Sequence, residues 1–528
     1  MRITKYVLAL VFSLGLAIPS FAVELSLGGF PSFMRFRWRT YTNATPHSVT
    51  NRGTVSNLTA SDGETIHFAD MTLRLTPQLV LSDNVTIRAS VDVLSNAVAG
   101  GATPGLFGAT TNNAGGVVMS DISTSDRFNG TLLYGTDAID EDHGEFKVKY
   151  LMADINLGEY GFLRIGRQPF DFGLGIYANG GHNPYDDQGF QLDRVLWLKG
   201  YDTALGATTL VLVSDYIGGG GNNNDATTDE PLSAFEGNGQ TVDYLAAALI
   251  VANGQSVYGV YYFPKIRQKN LGGAAAESNL DMNFTLYEAY YTYTGDDVFF
   301  GLDWAGGFGT LKPESSSGKA DTLNVDKSNY VFVAQLRFNN LGGAVSDVGF
   351  EYGRSPGDEY TSGTNDYQGA VIRGNSSYEV DNLLFKHVIP SLYGLEGSII
   401  NAEYFKVDAN MPMGTNSNMN FKVVMAWAEQ TNDQQFAGDI TGDTGTIQDI
   451  GGYWGTVYEA IYSHNLVDGV ELSLIGTYID AGNGLKDAMS DAADGTAVRA
   501  DADGSIYGFQ TRLLIFIDDF FKAPAASK

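Results

Sequence analysis

The 528-residue sequence contains no cysteine, and its histidines are few and scattered. Without cysteine the chain cannot form disulfides, thiolate zinc sites, iron–sulfur clusters or covalently attached haem. The spacing of the histidines does not match a set of metal ligands; they are His47, His67, His143, His182, His387 and His464. The sequence therefore predicts no metal site and no cofactor, and the fold needs a source of rigidity other than disulfides.

Basic residues are also scarce. There are 32 lysines and arginines against 61 aspartates and glutamates, which gives a formal net charge of −29. A surface with this balance repels nucleic acid and anionic lipid. We therefore expect no nucleic-acid partner.

No apolar run is long enough to span a bilayer as a helix. The longest N-terminal run, from Tyr6 to Ile18, is too short to cross ~30 Å of hydrocarbon. It follows Arg2 and Lys5 and precedes Ser20-Phe21-Ala22, which is the order of a cleaved secretory signal. We expect residues 1–22 to be removed during export through the periplasm. Because the sequence has no linker and no clean internal repeat, we predict that residues 23–528 form one domain.

Catalytic motifs are weak. Gly353-Arg354-Ser355-Pro356-Gly357 fits the nucleophile-elbow pattern, but that motif requires a strand-to-helix turn in an α/β sheet. Here the motif lies at the end of a predicted strand, and the sequence pattern indicates no histidine that would pair with Ser355. We expect no enzyme.

The dominant pattern is an alternation with a period of two. Met34, Phe36 and Trp38 share one face of a strand, and Arg35, Arg37 and Arg39 share the other. Similar stretches begin at Met71, Val85, Tyr330, Phe421 and Val470. Each has about the ten residues that a tilted membrane strand requires.

The connections are sorted by length. Short turns lie at 82–84, 253–255, 295–297 and 464–469, and long polar loops lie at 43–65, 97–143, 218–240, 313–326, 430–450 and 482–503. This predicts an all-β transmembrane antiparallel barrel of about 18 strands (range 16–18), with short periplasmic turns and long extracellular loops. The count of 18 requires 357–394 to be one outer loop, with the segment from Val380 to Tyr393 a loop helix. The loop 97–143 is a possible constriction.

The residue pattern of the last strand predicts that the protein is assembled in the outer membrane of a Gram-negative bacterium. Its alternating apolar face, Tyr507 to Phe521, resembles the signal read by the barrel-insertion machinery. Asp519 interrupts that face. Outer-membrane lipid and the insertion machinery are therefore the expected partners.

The polar face of the first strands predicts a basic patch in the lumen. Arginine costs ~2–4 kcal/mol in lipid at mid-depth, so the alternating basic residues should face inward. The predicted pore-lining residues of this patch are Arg35, Arg37, Arg39, Arg74, Arg88, Lys147, Lys149 and Arg164. Such a patch would attract anions. Alternatively, the arginines pair with Asp92, Asp154 or Asp193 and only set a transverse field.

One segment resembles the outer-membrane porins of the alginate-export type. Leu163-Arg164-Ile165-Gly166-Arg167-Gln168 is followed by Gly173-Leu174-Gly175 and then by Asp193-Arg194. The resemblance covers about thirty residues and implies an eighteen-stranded barrel with an arginine-rich lumen that passes an acidic polysaccharide. It also implies pore-lining roles for Arg164, Arg167, Gln168, Asp193 and Arg194. A bulge near Gly166 would place Arg164 and Arg167 on the same face.

Three functions remain open on the sequence alone. The first is a channel for passive diffusion of small or polymeric anionic solutes. The second is a barrel sheath around a partner such as a multihaem cytochrome. The third is a soluble exported β-protein that binds polysaccharide. A homo-oligomer is possible in each case.

Overall fold

The computed structural model describes most of the chain that follows the predicted signal. The described residues are 24–27, 30–42, 65–98, 147–186, 189, 191–216, 241–269, 279–314, 323–325, 329–357, 366–367, 374–375, 377–393, 398–435, 447–489 and 505–521. The predicted signal peptide and nearly all of the proposed constriction loop 97–143 lie outside these residues.

Eighteen described strands form the wall, and they are numbered here in chain order. They are β1 Phe33–Thr42, β2 Thr65–Leu75 continued by Pro77–Ser82, β3 Val85–Val98, β4 Lys147–Asn156, β5 Phe162–Pro169, β6 Gln191–Thr203, β7 Gly206–Tyr216, β8 Thr241–Asn253, β9 Ser256–Lys269, β10 Asn279–Thr294, β11 Val298–Glu314, β12 Tyr330–Phe338, β13 Asp347–Ser355, β14 Ala402–Pro412, β15 Ser417–Trp427, β16 Tyr453–Val467, β17 Val470–Ala481 and β18 Ser505–Phe516.

The ring is closed by the first and last strands. β1 pairs antiparallel with β18 from Phe33↔Phe516 to Thr42↔Tyr507, and every other wall strand pairs antiparallel with its neighbours in sequence. Closure leaves no wall strand with an unpaired edge, which a sheet in hydrocarbon requires. The predicted closed antiparallel barrel, with its count of 18, is confirmed.

The outer face of the wall is apolar, as the alternation predicts. Trp38 is 53% exposed although Arg37 and Arg39, on either side of it, are each 2% exposed. Phe421 and Tyr507 are similarly exposed on β15 and β18. A continuous exposed apolar surface of this kind is suited to contact with acyl chains and not with water.

The short connections gather at one end of the barrel. β8 and β9 are joined through Gly254 and β16 and β17 through Gly469, and both glycines have positive φ. The turn from Gly295 to Asp297 and the β2–β3 turn at Ser82 lie at the same end. This end is called the short-turn end below, and the opposite end is called the loop end.

Short extra elements lie outside the ring. Glu24–Leu27 pairs with Pro77–Ser82, Leu323–Val325 pairs parallel with Asp366–Tyr367, and Gln434–Gln435 pairs with Ile447–Gln448. The short helices are Gly158–Tyr160 (3₁₀), Leu384–Val388 (π), Ile389–Tyr393, Asn483–Met489 and Ile517–Phe521. No described helix is both long and apolar enough to cross a membrane.

Two sequence predictions about strand ends have different outcomes. The segment from Val380 to Tyr393 lies between β13 and β14 and is helical from Leu384 onward, as the count of 18 strands requires. The final strand, however, ends at Phe516 and not at Phe521. The last residues turn into a short helix, and the Asp518 carboxylate accepts a hydrogen bond from the Ser32 amide at 2.8 Å.

Candidate pore constriction

Two loop-end segments fold inward and cross the lumen. The first inward loop comprises residues 170–186, between β5 and β6. The second comprises the described residues of 374–400, between β13 and β14. The two loops touch: the Asn375 amide donates to the Ile176 carbonyl at 2.6 Å, and the Asn375 side chain donates to the Tyr177 carbonyl at 3.1 Å.

Both loops bury apolar side chains against the wall. Ile176 and Ala178 of the first loop and Leu384 and Phe385 of the second are 0% exposed. The Phe385 ring lies 5.0 Å from that of Tyr404 on β14. Inward-facing wall residues of the loop-end half complete this core, among them Val211, Val213, Val331, Val333, Val424, Ala426, Val457 and Ile506. The inner wall of this half is therefore apolar, because it packs against protein.

Wall arginines anchor the first inward loop. The Arg35 guanidinium donates to the carbonyls of Pro184 and Asp186 at 2.9 and 2.8 Å, and Arg74 donates to the Gly181 carbonyl at 2.7 Å. The guanidinium has several donors in a rigid fork and can satisfy wall and loop acceptors together. These arginines hold the loop in place.

The opposite wall anchors the same loop through Asp303 on β11. This carboxylate accepts a hydrogen bond from the Leu174 amide at 2.6 Å. Gly173 packs directly on the Asp303 carboxyl with φ +59, so an added Cβ would clash with it. Glycine is therefore required here both for the backbone conformation and for the close approach.

We predict that Gly173→Ala undocks this turn, because the strained φ costs ~1–3 kcal/mol and the methyl group also collides with Asp303. The measurement is hydrogen exchange at the Leu174 amide, which should become faster. Gly158→Ala is the matched control, since Gly158 has φ +65 but open space around the added Cβ. Unchanged exchange in Gly173→Ala would show that Asp303 does not hold the loop.

The second loop is anchored by its own carboxylate and by β16. Asp381 accepts hydrogen bonds from the Leu383 and Leu384 amides at 2.7 and 2.6 Å, which fixes the start of the π-helix. The Glu459 carboxylate of β16 accepts from the Asn382 amide at 2.9 Å. Trp454 donates its indole N–H to the Asn401 carbonyl at 2.9 Å, where the loop rejoins the wall.

A polar cavity of about 400 Å³ remains between the two loops. Its lining residues are Asp171, Leu174, Asn179, His182, Asn183, Tyr185, Asp186, Ser377, Tyr378 and Glu379. Burial disfavours ionisation of Asp171, but hydrogen bonds from His182 and the Gly180 amide outweigh it and lower the pKa of Asp171. The cavity is the candidate constriction of a pore.

Charged wall residues border this cavity. The Arg512 guanidinium lies 4.2 Å from the centre of the Tyr185 ring, and the Tyr185 hydroxyl donates to Glu471 at 3.1 Å. Burial, with the nearby Glu471 carboxylate, raises the pKa of Tyr185 to about 12. Although burial opposes its charge, the Lys422 ammonium at 3.2 Å helps hold the pKa of Glu379 at about 2. The hydroxyl thus stays neutral and Glu379 ionised at neutral pH.

Most of the predicted pore-lining residues do face the lumen, but they are paired. Buried wall pairs include Arg37–Asp70 at 2.7 Å and Arg74–Asp92 at 2.7 Å. Arg39 also lies 3.1 Å from Asp70. The alternative in which the lumen arginines pair with carboxylates is correct for Asp92 and Asp154, but not for Asp193.

Lys149 reaches the lumen through a bulge. The β3–β4 register shifts between Ser90 and Val91, so Lys149 and Tyr150 are both buried although they are adjacent. The extra residue turns both side chains inward. The side chain of Lys147, also a predicted lining residue, lies outside the described part of the chain.

Arg88 and Arg164 are the predicted residues with partial access to the lumen. Their side chains are 29% and 26% exposed, and both contact Asp154, at 3.0 and 2.6 Å. Two guanidinium groups therefore share one carboxylate near the short-turn end. This leaves a local excess of positive charge beside Asp154 on this part of the lumen wall.

The prediction that Arg167 and Asp193 line the lumen is wrong. They pair with each other at 2.9 Å on the outer face, beside the exposed Ile165 and Val195. The β4–β5 register runs from Asp154↔Arg164 to Leu151↔Arg167 without a shift, so the proposed bulge near Gly166 does not occur. Strict alternation therefore keeps Arg164 and Arg167 on opposite faces.

The other two residues implied by the resemblance are buried inward. Gln168 donates to the Arg194 carbonyl at 2.9 Å. Arg194 pairs with Asp215 at 2.7 Å and stacks 4.4 Å from the centre of the Phe170 ring, where the first inward loop begins. Both residues support the loop from the wall.

The charges of the lumen wall are unevenly distributed. Among the described buried and half-buried inward residues of β1 to β7, cations exceed carboxylates: Arg35, Arg37, Arg39, Arg74, Arg88, Lys149, Arg164 and Arg194 against Asp70, Asp92, Asp154 and Asp215. On the described part of β10 to β14 carboxylates exceed cations: Glu288, Asp303, Asp347, Glu351 and Asp408 against Arg337 and Lys406. These sectors lie on opposite sides of an eighteen-strand ring.

The residues of the cavity were missed by sequence reasoning, which placed 357–394 in an outer loop and treated 173–175 only as a turn. A signal was present in β12. Tyr330 and Phe332 face outward, yet Val331 and Val333 on the inward face are also apolar, whereas Gln335 and Arg337 below them are polar. Apolar residues on both faces of a barrel strand indicate protein packing inside.

The described residues contain no group of three His, Asp or Glu side chains that could hold a metal ion. Ser355, the serine of the elbow-like motif, is fully buried at the loop-end terminus of β13. A barrel strand provides no strand-to-helix turn that would expose such a serine.

Comparisons with known proteins found similarity to solved structures alone. No family model and no curated protein matches the sequence. Solved structures that it is similar to include OccK2 (OpdF) of Pseudomonas aeruginosa (TM-score 0.45, 8% identity, 93% of this chain and 97% of that chain). A BenF-like porin from Pseudomonas fluorescens matches with a TM-score of 0.44, 9% identity and coverage of 93% and 98%. OpdQ of Pseudomonas aeruginosa matches with a TM-score of 0.41, 8% identity and coverage of 92% and 96%.

Proposed function

We propose that the protein is an outer-membrane channel of a Gram-negative bacterium that passes small anionic solutes down their concentration gradient. The observation that carries this proposal is a closed barrel with an apolar outer face and a charged interior narrowed by two inward loops. Barrels of 16 to 18 strands enclose an aqueous channel when nothing fills them. Here the two loops narrow that channel and leave a cavity of about 400 Å³ between them.

The preference for anions is supported by the basic sector of β1 to β7. At the short-turn end, Arg88 and Arg164 share Asp154 and keep partial access to the lumen. A solute anion passing this point gains favourable interactions without tight binding, which a channel requires for rapid release. The two loops that cross the lumen favour small anions over the polysaccharide that the alginate-export resemblance implies.

The two alternative functions are less well supported. A sheath around a cytochrome needs an open lumen, but the described loops bury Leu384, Phe385 and Ile176 in its loop-end half. A soluble β-protein would not expose Trp38, Phe421 and Tyr507 along one continuous outer face. Assembly by the insertion machinery and a homo-oligomeric state remain predictions.

We predict that the reconstituted channel prefers chloride to potassium and that Arg88→Gln combined with Arg164→Gln lowers this preference several-fold. The reason is that Asp154 then loses both cationic partners and the entrance becomes negative. The measurement is the reversal potential in planar bilayers under a KCl gradient.

Arg167→Gln is the matched control, since Arg167 lies on the same strand as Arg164 but on the outer face. It should leave the reversal potential unchanged. A channel that prefers potassium would contradict the anion proposal, and a protein that inserts without conducting would contradict the channel itself.

A further inference from the structure

Three carboxyl groups meet where the second inward loop docks on the wall. Asp381 is 0% exposed and accepts hydrogen bonds from the first amides of the π-helix, Leu383 to Phe385. Glu459 of β16 is 3% exposed and accepts a hydrogen bond from the Asn382 amide. Glu379 lies on the same loop, two residues before Asp381.

Two of these carboxyl groups, those of Glu379 and Glu459, share one ammonium group. The Nζ atom of Lys422 on β15 lies 2.8 Å from Glu459 and 3.2 Å from Glu379. Asp381 has no ion pair of its own among the described residues, and its hydrogen bonds are to backbone amides. Asp381 and Glu459 are both buried, so ionisation of Asp381 places a second negative charge beside Glu459, which is costly away from water.

Other titratable groups face this cluster from the surrounding elements. Lys386 of the π-helix and Arg512 of β18 interact electrostatically with Glu379. His387, next to Lys386, lies 3.4 Å from the Tyr41 hydroxyl of β1. On β17, Thr477 donates a hydrogen bond to Glu459 at 3.1 Å. Lys386 and Arg512 act on the half-buried Glu379, whereas Asp381 is fully buried.

We propose that docking of the second inward loop is linked to protonation of this cluster at Asp381, so that the channel is narrower at mildly acidic pH than at neutral pH. A neutral Asp381 still accepts amide hydrogen bonds and no longer repels Glu459. An ionised Asp381 keeps those bonds but adds buried negative charge beside Glu459. The docked loop is therefore weakened as pH rises.

The direction and size of the effect follow from the charge of Asp381. Burial, and then Glu459, raise the pKa of Asp381 to about 6 in the docked loop. Because that pKa is above the ordinary value near 4, the docked loop retains a proton that the released loop loses. Docking is therefore stabilised at low pH and weakened as pH rises through about 6. The docking equilibrium should fall about tenfold between about pH 5 and about pH 7.5.

This inference rests on the proposed channel function, and its test is single-channel recording of the full mature chain at about pH 5 and about pH 7.5. The wild type should show larger or longer open states at the higher pH. Asp381→Asn keeps an acceptor without the charge and should stay in the narrower state at both pH values. His387→Gln is the control for the neighbouring imidazole and should keep the wild-type response.

Equal currents at both pH values would overturn the inference and leave the channel function intact. A pH response that persists in Asp381→Asn but disappears in His387→Gln would also overturn it. If no variant conducts, the proposed function fails. Hydrogen exchange of residues 383–393 then still tests whether docking of the second inward loop depends on protonation of Asp381. Wild type should then exchange about tenfold faster than Asp381→Asn near pH 5 and about a hundredfold faster near pH 7.5; the same ratio at both pH values would contradict it.

Discussion

Replacing residues 377–393 with a short Gly–Ser linker should raise the single-channel conductance several-fold. This segment forms one side of the cavity between the inward loops and supplies Leu384, Phe385 and Ile389 to the core that fills the loop-end half of the lumen. Without it, the lumen of an eighteen-strand barrel should hold a much wider column of water.

The barrel itself should survive this replacement, because its strands are paired by a closed ladder in which the segment takes no part. A heat-dependent shift in gel mobility tests whether the variant remains folded. Substituting the short turn residue Leu341 with Ala is a control that leaves the lumen untouched. A folded deletion variant with wild-type conductance would show that the second inward loop does not limit flow.

Val423→Arg should lower the free energy of unfolding by ~2–4 kcal/mol, because it places a guanidinium in lipid near mid-depth. Val423 lies near the middle of β15, on the outer face, and is 37% exposed. The measurement is urea-dependent unfolding of the barrel in vesicles. Leu341→Arg is the matched control, since Leu341 is exposed in the short turn between β12 and β13.

The control should cost less than about 1 kcal/mol, because an arginine at the interface stays hydrated. Equal losses in the two variants would contradict the assignment of the outer face to lipid. A stabilising or neutral Val423→Arg would show that this surface contacts water.

The barrel could be predicted from the sequence because its pattern is local. Alternation places Met34 and Trp38 outward and Arg35 and Arg37 inward, and a one-residue slip would reverse every side chain. That no wall strand forms within 377–393 follows from the predicted count of 18, since that count requires an outer loop there.

The constriction could not be predicted in the same way, because it depends on contacts between residues far apart in sequence. Asn375 donates a hydrogen bond to the Tyr177 carbonyl, and Arg35 donates one to the Pro184 carbonyl. No local sequence pattern predicts either contact. A single bulge at Lys149 also changes the inward face of β4. The segment that resembles the alginate-export family led to the wrong prediction that Arg167 lines the lumen. A sequence motif does not specify which face of its strand points inward.

The most direct test of the account uses the absence of native cysteine. Arg164→Cys and Ile165→Cys place single thiols on adjacent residues of opposite faces, and a charged, water-soluble thiol reagent is added during single-channel recording. We expect a stepwise change in current for Arg164→Cys and none for Ile165→Cys. Two results would contradict a water-filled lumen enclosed by a lipid-facing wall. One is modification of Ile165→Cys at the same rate as Arg164→Cys, and the other is no response from Arg164→Cys in a conducting channel.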